Sequence, residues 1–217
     1  MGSGSSLLWV ASGRAWQRNV RMSAALGILG GTFDPPHIGH VAAATAAWKQ
    51  LGLDQVLVVP AGQAPLRSAV TLASAADRVT MAKLAFADYP WAVVDDRETR
   101  REGISWSIDT ARELAKEHPS AWRVWILGAD QLARLDRWKE VEEICRLVDF
   151  AVLARDGIST VPPDSLAKHI KLTILTAPPV LVSSTALRAA IKRGDSSRNG
   201  LPSGVSRHID ERSLYQA

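Results

Sequence analysis

The residues best suited to chemistry fall in one stretch, Gly30-Gly31-Thr32-Phe33-Asp34-Pro35-Pro36-His37-Ile38-Gly39-His40. It follows an apolar run over 24–29 and precedes a helical pattern rich in small residues. A strand, a glycine turn and a helix start, in that order, make an anion site. The unpaired N–H groups of the first helical turn and the positive end of the helix dipole both favour phosphate. Gly30 and Gly31 let a ligand approach the backbone closely. His37 and His40 are three residues apart, so both imidazoles lie on one face of that turn. The string reads as a nucleotide-phosphate cradle in which histidine stands where a Walker loop has lysine.

A second helix start of similar character lies far along the chain, at Val182-Ser183-Ser184-Thr185-Ala186-Leu187-Arg188. Ser184 can turn both its hydroxyl and its N–H towards a phosphate. Arg188, four residues on, shares its face and can clamp oxygens with its guanidinium fork. Taken singly, each has a plainer reading: two histidine caps, and a serine cap with a solvated arginine. Two phosphate-type helix starts in one chain of alternating strands and helices point to a shared polyphosphate.

The elements that must position these groups follow from periodicity and breakers. Strands are expected over 24–29, 55–59, 91–94, 122–127, 149–154 and 171–175. Helices are expected over 38–51, closed by Gly52, over 74–87 with Ser74 as N-cap, and over 107–117, closed by Pro119. A short helix opens at Gly128-Ala129-Asp130 and runs to about 135. Further helical turns are expected over 140–146, 184–193 and 202–212. Apolar strands alternating with helices imply an α/β fold: a three-layer, Rossmann-like, doubly wound, mostly parallel sheet of five or six strands. Ligands of such sheets bind at the carboxyl ends of the strands, where the strand order reverses.

Residues 1–22 begin Met1-Gly2-Ser3-Gly4-Ser5-Ser6 and read as a flexible extension or tag, with Met22 a candidate initiator. Residues 23–217 then form a single domain. No apolar run reaches the ~20 residues of a membrane span, so no membrane partner is expected. The net charge of +4 comes without an arginine-rich block interleaved with aromatics, so no nucleic-acid partner is expected either. The one cysteine, Cys145, rules out an internal disulfide and fits a reducing cytoplasm, where it reads as a buried core thiol. His118 reads as a cation at a helix end, and His169 and His208 as surface residues. No His-Glu-x-x-His spacing marks a zinc site.

Residues 37–40 resemble the H-x-G-H signature of the nucleotidylyltransferases, and the chain as a whole is most similar to the bacterial nicotinate-nucleotide adenylyltransferases. Residues 182–188 resemble the family's I-S-S-T-x-x-R signature, with valine first. Gly128-Ala129-Asp130 resembles its G-x-D segment. The resemblance spans residues 24–215 and implies transfer of the adenylyl group of ATP to nicotinate mononucleotide, giving deamido-NAD and pyrophosphate. It implies that Gly30, Gly31, Thr32, Phe33, His37, His40, Gly128, Asp130, Ser184 and Arg188 frame ATP, with His37, His40 and Arg188 catalytic. Ser105, Trp106 and Ser107 stand where the family has Ser-Tyr-Thr, whose N–H groups meet the nicotinate carboxylate. Trp138 matches the tryptophan that stacks on the pyridine ring. Arg67 keeps a basic residue where the family has Pro-His-Lys, while Leu66 replaces the histidine. Arg78 sits in a segment resembling the family's R-x-x-M and reads as structural.

The nucleophile in such a reaction is a phosphate monoester, already ionised near neutral pH, so no general base is required. Catalysis is then positioning and charge stabilisation. Mg²⁺ is expected on the leaving pyrophosphate, held mainly through ATP and water rather than by a carboxylate cage. Three alternatives remain on the sequence: nicotinamide mononucleotide as acceptor, phosphopantetheine as acceptor, and a nucleotide-sensing regulator without catalysis. A homo-oligomer stays open.

Overall fold

The computed structural model describes residues 23–63, 72–154, 157–195 and 198–216. The extension expected over 1–22, and Leu66 and Arg67, lie outside the described residues.

Six parallel strands form one sheet: β1 (Ala25–Gly31), β2 (Gln55–Pro60), β3 (Ala92–Val94), β4 (Trp122–Gly128), β5 (Asp149–Leu153) and β6 (Leu172–Leu175). Their spatial order is β3-β2-β1-β4-β5-β6. The chain therefore builds outward in one direction from β1 and then reverses, starting again at β4 on the other side. In register, Ile28 of β1 faces Leu57 of β2 and Trp125 of β4. The reversal lies between β1 and β4, so the crevice such a sheet offers opens at Gly30-Gly31 and Gly128.

Both faces of the sheet are covered, as parallel strands require. Alternate residues of β1 enter different cores: Ala25 and Leu29 one, Leu26 and Ile28 the other. The first core is closed by α1 (Ile38–Leu51), α2 (Ala75–Ala85) and α8 (Ser203–Glu211), through Ala44, Ala47, Met81, Val205 and Ile209. The second is closed by α4 (Ser107–Glu117) and α6 (Val141–Leu147), through Ile108, Leu114 and Ile144. Cys145 is buried there and burial raises its thiol pKa, as suits a core thiol.

The bounds of α1 and α4 fall where caps and breakers put them. Gly52 closes α1 with φ 61°, a left-handed turn that glycine adopts without strain. Ser74 caps α2 by accepting the Asp77 N–H. Elsewhere the chain differs from its pattern. β1 runs on to Gly31 because Gly31 pairs with Pro60 and its carbonyl takes the Ala61 N–H. The helix expected to reach 135 is instead α5 (Ala129–Leu132) followed by a separate 3-10 turn at Leu135–Arg137. The one-turn α3 (Arg97–Arg100) and a 3-10 turn at Asp164–Leu166 were not signalled, being too short to show a period. α7 covers Ser184–Lys192. Among the described residues no helix is long and apolar enough to cross a membrane.

Candidate active site

β1 delivers the chain at Gly31 into a loop, Thr32 to Pro36, that leads into α1. Thr32, Phe33 and Asp34 are buried in it. His37 is the N-cap of α1, and the cap is reciprocal. The Gly39 N–H donates to His37 Nδ1 at 3.1 Å, and the His37 N–H donates to His40 Nδ1 at 3.0 Å. This is the capping-box arrangement with imidazoles in place of Ser and Glu. It also sets the tautomer. A ring nitrogen that accepts a backbone N–H holds no proton, so each neutral imidazole carries its proton on Nε2. Both histidines thus enter the helix start as Nε2 donors. Their rings lie 3.8 Å apart, and Phe33 meets His40 edge-on at 4.9 Å. Phe33 holds a left-handed φ of 50°, which a residue with a side chain adopts only when its surroundings enforce it.

Three side chains hold that loop by its carbonyl oxygens. Arg78 Nη1 donates to the Thr32 carbonyl at 2.9 Å and to that of Ala61 at 2.6 Å. Ser184 Oγ donates to the Pro35 carbonyl at 2.9 Å, and Arg188 Nη1 to the Asp34 carbonyl at 2.7 Å. The N-terminus of α7 is thereby fastened to the loop that starts α1. The two helix starts singled out in the sequence share one neighbourhood. Ser183, not Ser184, caps α7, accepting the Ala186 N–H. The Ser184 hydroxyl and one arm of the Arg188 fork are engaged with the loop itself. Arg78 is almost fully buried, which fits its structural reading.

Gly128 ends β4 beside β1 and occupies the N-cap position of α5, with Asp130 exposed in its first turn. A Cβ on Gly128 would come 2.7 Å from Asp130 Oδ1. Trp125 lies alongside Gly30, and its ring meets Trp138 edge-on at 5.6 Å. The aromatic expected to stack on an acceptor is therefore joined, through one further indole, to Gly30 near the end of β1.

The remaining segment is built on Gln63 and Glu98. The Ser105 N–H donates to the Gln63 carbonyl at 2.9 Å, and Ser105 Oγ to the Glu98 carbonyl at 3.0 Å. Trp106, rather than Ser107, occupies the N-cap position of α4, and no side chain among the described residues caps that start. The first N–H groups of α4 are thus not claimed by a cap. Trp106 and Trp138 pack against the same core, and Lys139 Nζ lies 5.2 Å from the Trp106 ring centroid. The buried Glu98 carboxylate accepts the Thr110 hydroxyl of α4 at 2.6 Å. Burial pushes its pKa up. Gly62 presses against this unit: a Cβ there would come 2.5 Å from Ser105 Oγ and closer still to the Glu98 carbonyl.

Sequence reasoning missed further contacts that hold the site. The Asp34 carboxylate accepts the N–H groups of Leu72 and Ala73 and the hydroxyl of Tyr215. His208, expected at the surface, is largely enclosed with Nε2 3.1 Å from Asp77 Oδ1. Asp77 lies 131 positions away in the chain, and no local signal announces it. Among the described residues no group of three or more His, Cys, Asp or Glu side chains is placed to hold a metal ion.

Comparison with known proteins adds an independent line. A family model described as cytidylyltransferase-like matches residues 28–190. A Synechococcus sp. protein named "Probable nicotinate-nucleotide adenylyltransferase" is 41% identical over 194 residues, covering 88% of this chain and 94% of the relative. One of the same name from Methylibium petroleiphilum is 39% identical over 202 residues, covering 91% and 95%. Among solved structures, Plasmodium falciparum nicotinic acid mononucleotide adenylyltransferase complexed with NaAD superposes with a TM-score of 0.71. Its identity is 17%, with 88% of this chain and 97% of that chain covered, a likeness of fold.

Proposed function

This chain belongs to the nicotinate-nucleotide adenylyltransferases within the cytidylyltransferase-like family, and from that membership we propose how its own residues carry out the reaction. The enzyme transfers the adenylyl group of ATP to nicotinate mononucleotide, yielding deamido-NAD and pyrophosphate. The acceptor phosphate attacks the α-phosphorus and pyrophosphate leaves. No residue need remove a proton from an acceptor that is already an anion, so the protein's task is to hold and to neutralise.

The observation that carries this reading is the fastening of Ser184 and Arg188 to the carbonyls of Pro35 and Asp34. It brings the guanidinium beside the helix start that bears two Nε2-protonated imidazoles. Charge building on the phosphates then meets His37, His40, Arg188 and the N-terminus of α1. Gly30, Gly31, Thr32 and Phe33 form the floor, and Gly128 and Asp130 frame the nucleoside at the neighbouring strand end. The start of α4 receives the nicotinate carboxylate on the backbone N–H groups of Trp106 and Ser107, with Trp138 on the ring, while Ser105, bonded to Gln63 and Glu98, holds that segment in place. Arg67 would add a cation to the phosphate end. The single sheet, with Tyr215 packed into the core that begins at Ala25, supports one domain over 23–217.

Mg²⁺ fits the donor set in one way. Mg²⁺ would be held mainly through the ATP phosphates and water, and would supply charge neutralisation on the leaving pyrophosphate while His37, His40 and Arg188 hold the phosphates. One assay tests the reading: ATP and Mg²⁺ with nicotinate mononucleotide, nicotinamide mononucleotide or phosphopantetheine in turn, following pyrophosphate and the adenylylated product. Deamido-NAD formed at the highest kcat/KM supports it. Preference for either other acceptor would move the assignment, and binding of ATP without turnover would favour a regulator.

A further inference from the structure

Asp34 lies inside the phosphate loop, yet its carboxylate faces the protein. It is 2% exposed, and both oxygens are bonded. Oδ2 accepts the Leu72 N–H at 3.0 Å. Oδ1 accepts the Ala73 N–H at 3.1 Å and the Tyr215 hydroxyl at 2.8 Å. Its own carbonyl is the one that takes Arg188. One residue therefore joins the loop before His37, the approach to α2, the α7 guanidinium and the last turn of the chain beyond α8.

The Tyr215 end is built for this contact. Its ring is buried in the core under α1 and α2. Its backbone holds a left-handed φ of 65°, unfavourable for any residue with a Cβ and sustained only by surrounding contacts. Burial first, then the Asp34 carboxylate, push the phenol above its ordinary range, so it remains a donor wherever the enzyme works. α8 is pinned just upstream: Asp77 on α2 meets His208 Nε2 at 3.1 Å and Arg212 Nε at 3.3 Å.

We infer that Tyr215 and Asp34 are positioning residues for the adenylyl transfer proposed above: the phenol holds the carboxylate, and the carboxylate holds the loop that presents His37 and His40. The inference rests on that reading of function. Neither residue touches substrate. Their effect comes from geometry, since misplacement of a cradle by about 1 Å can cost two orders of magnitude in rate.

The test uses the full chain with ATP, Mg²⁺ and nicotinate mononucleotide. Tyr215→Phe keeps the ring and removes one donor. It should lower kcat roughly ten-fold and leave KM for nicotinate mononucleotide nearly unchanged, because the Asp34 carboxylate is bonded to Leu72, Ala73 and Tyr215 and not to residues 105–107. The loss should be the same at every pH at which the wild type works. Asp34→Asn should lose more, because an amide nitrogen cannot accept and would face a backbone N–H. Asp34→Ala removes the carboxylate outright, and combining it with Tyr215→Phe should give an enzyme no slower than Asp34→Ala alone, because the phenol then has no carboxylate left to hold. Ile209→Val, which thins the core that also holds Tyr215 but removes no bond to Asp34, should lower the thermal midpoint and keep kcat. Wild-type kcat in Tyr215→Phe, additive losses in the double variant, or an equal kcat loss in Ile209→Val would each overturn the inference. Should Asp34→Asn fail to fold, Tyr215→Phe still decides. A wild-type enzyme that makes no deamido-NAD would instead bring down the functional reading, and this inference with it.

Discussion

His40 does two jobs that one pair of substitutions separates. Its Nδ1 accepts the His37 N–H, closing the capping box of α1, and its Nε2 is the donor that the proposed function assigns to the phosphates. His40→Ala removes both. The lost cap bond costs about 1 kcal/mol of stability, which in a domain of this size lowers the thermal midpoint by about 2–4 °C. The lost donor faces charge that develops only in the transition state, worth about 2.7–4 kcal/mol, or roughly 10²–10³ in kcat. Against a total stability of about 5–15 kcal/mol the first loss leaves the enzyme folded at 25 °C, so it cannot imitate the second. His40→Asn keeps an acceptor, Oδ1, where Nδ1 stood, and keeps the cap. It also leaves His37 better supported than alanine does, since the two rings lie 3.8 Å apart. The expectation is a near-native thermal midpoint for His40→Asn with kcat as low as that of His40→Ala. Steady-state kinetics and thermal unfolding of both variants decide the matter. If either variant kept kcat within about three-fold of wild type, imidazole donation could not supply a rate gain of roughly 10² or more.

Three further outcomes follow from the packing. Gly62→Ala places a Cβ 2.5 Å from Ser105 Oγ and against the Glu98 carbonyl, so KM for nicotinate mononucleotide should rise roughly ten-fold and more than KM for ATP. An unchanged acceptor KM would remove the segment at Ser105 from the acceptor site. Glu98→Gln keeps an acceptor for Thr110 and removes a buried charge. Because burial raises the Glu98 pKa, the stability it contributes is present below its unfolded value and is lost as pH rises through the folded one. The variant should therefore match or exceed wild type in thermal midpoint at pH 7, with the gap closing in acid; a midpoint below that of wild type at pH 7 would contradict this. Asp77 has the opposite sign: the Ser74 hydroxyl, then His208 and Arg212, hold its carboxyl below the ordinary range against the opposing effect of burial. Its stabilisation is present above the unfolded value of about 3.9 and lost as pH falls through the folded value. Asp77→Asn should cost about 2–4 °C at neutral pH and nothing in strong acid, measured as midpoint against pH.

The parts of this molecule that were legible in its sequence are those whose physics is local. The inner strands are mostly apolar and buried, and the edge strands β3 and β6, though partly exposed, keep short apolar runs, so all six announced themselves. α1 and α4 have their expected bounds because Gly52 and Pro119 act within a residue or two of the ends they close. The helix starts before α1 and α7 could be read because cap residues mark a helix start within a single turn. α3 escaped because four residues, Arg97 to Arg100, carry no apolar period. His208 was misplaced because its partner Asp77 lies in another helix. Asp34 and Tyr215, separated by 181 positions, form a bond that leaves no mark on either residue's neighbours. The same distinction divides the site itself. Most of the atoms that would meet substrate sit in short runs, at 30–40, 105–107 and 128–130, and declare their chemistry by type and spacing. Those that fix the loop from behind, Arg78, Asp34, Ser184 and Tyr215, converge on it from α2, the loop itself, α7 and the residues beyond α8. Substitutions among the first group should therefore change which charge is stabilised. Substitutions among the second should change how closely an intact set of donors meets it, lowering kcat while leaving the chemistry and its pH dependence as they were.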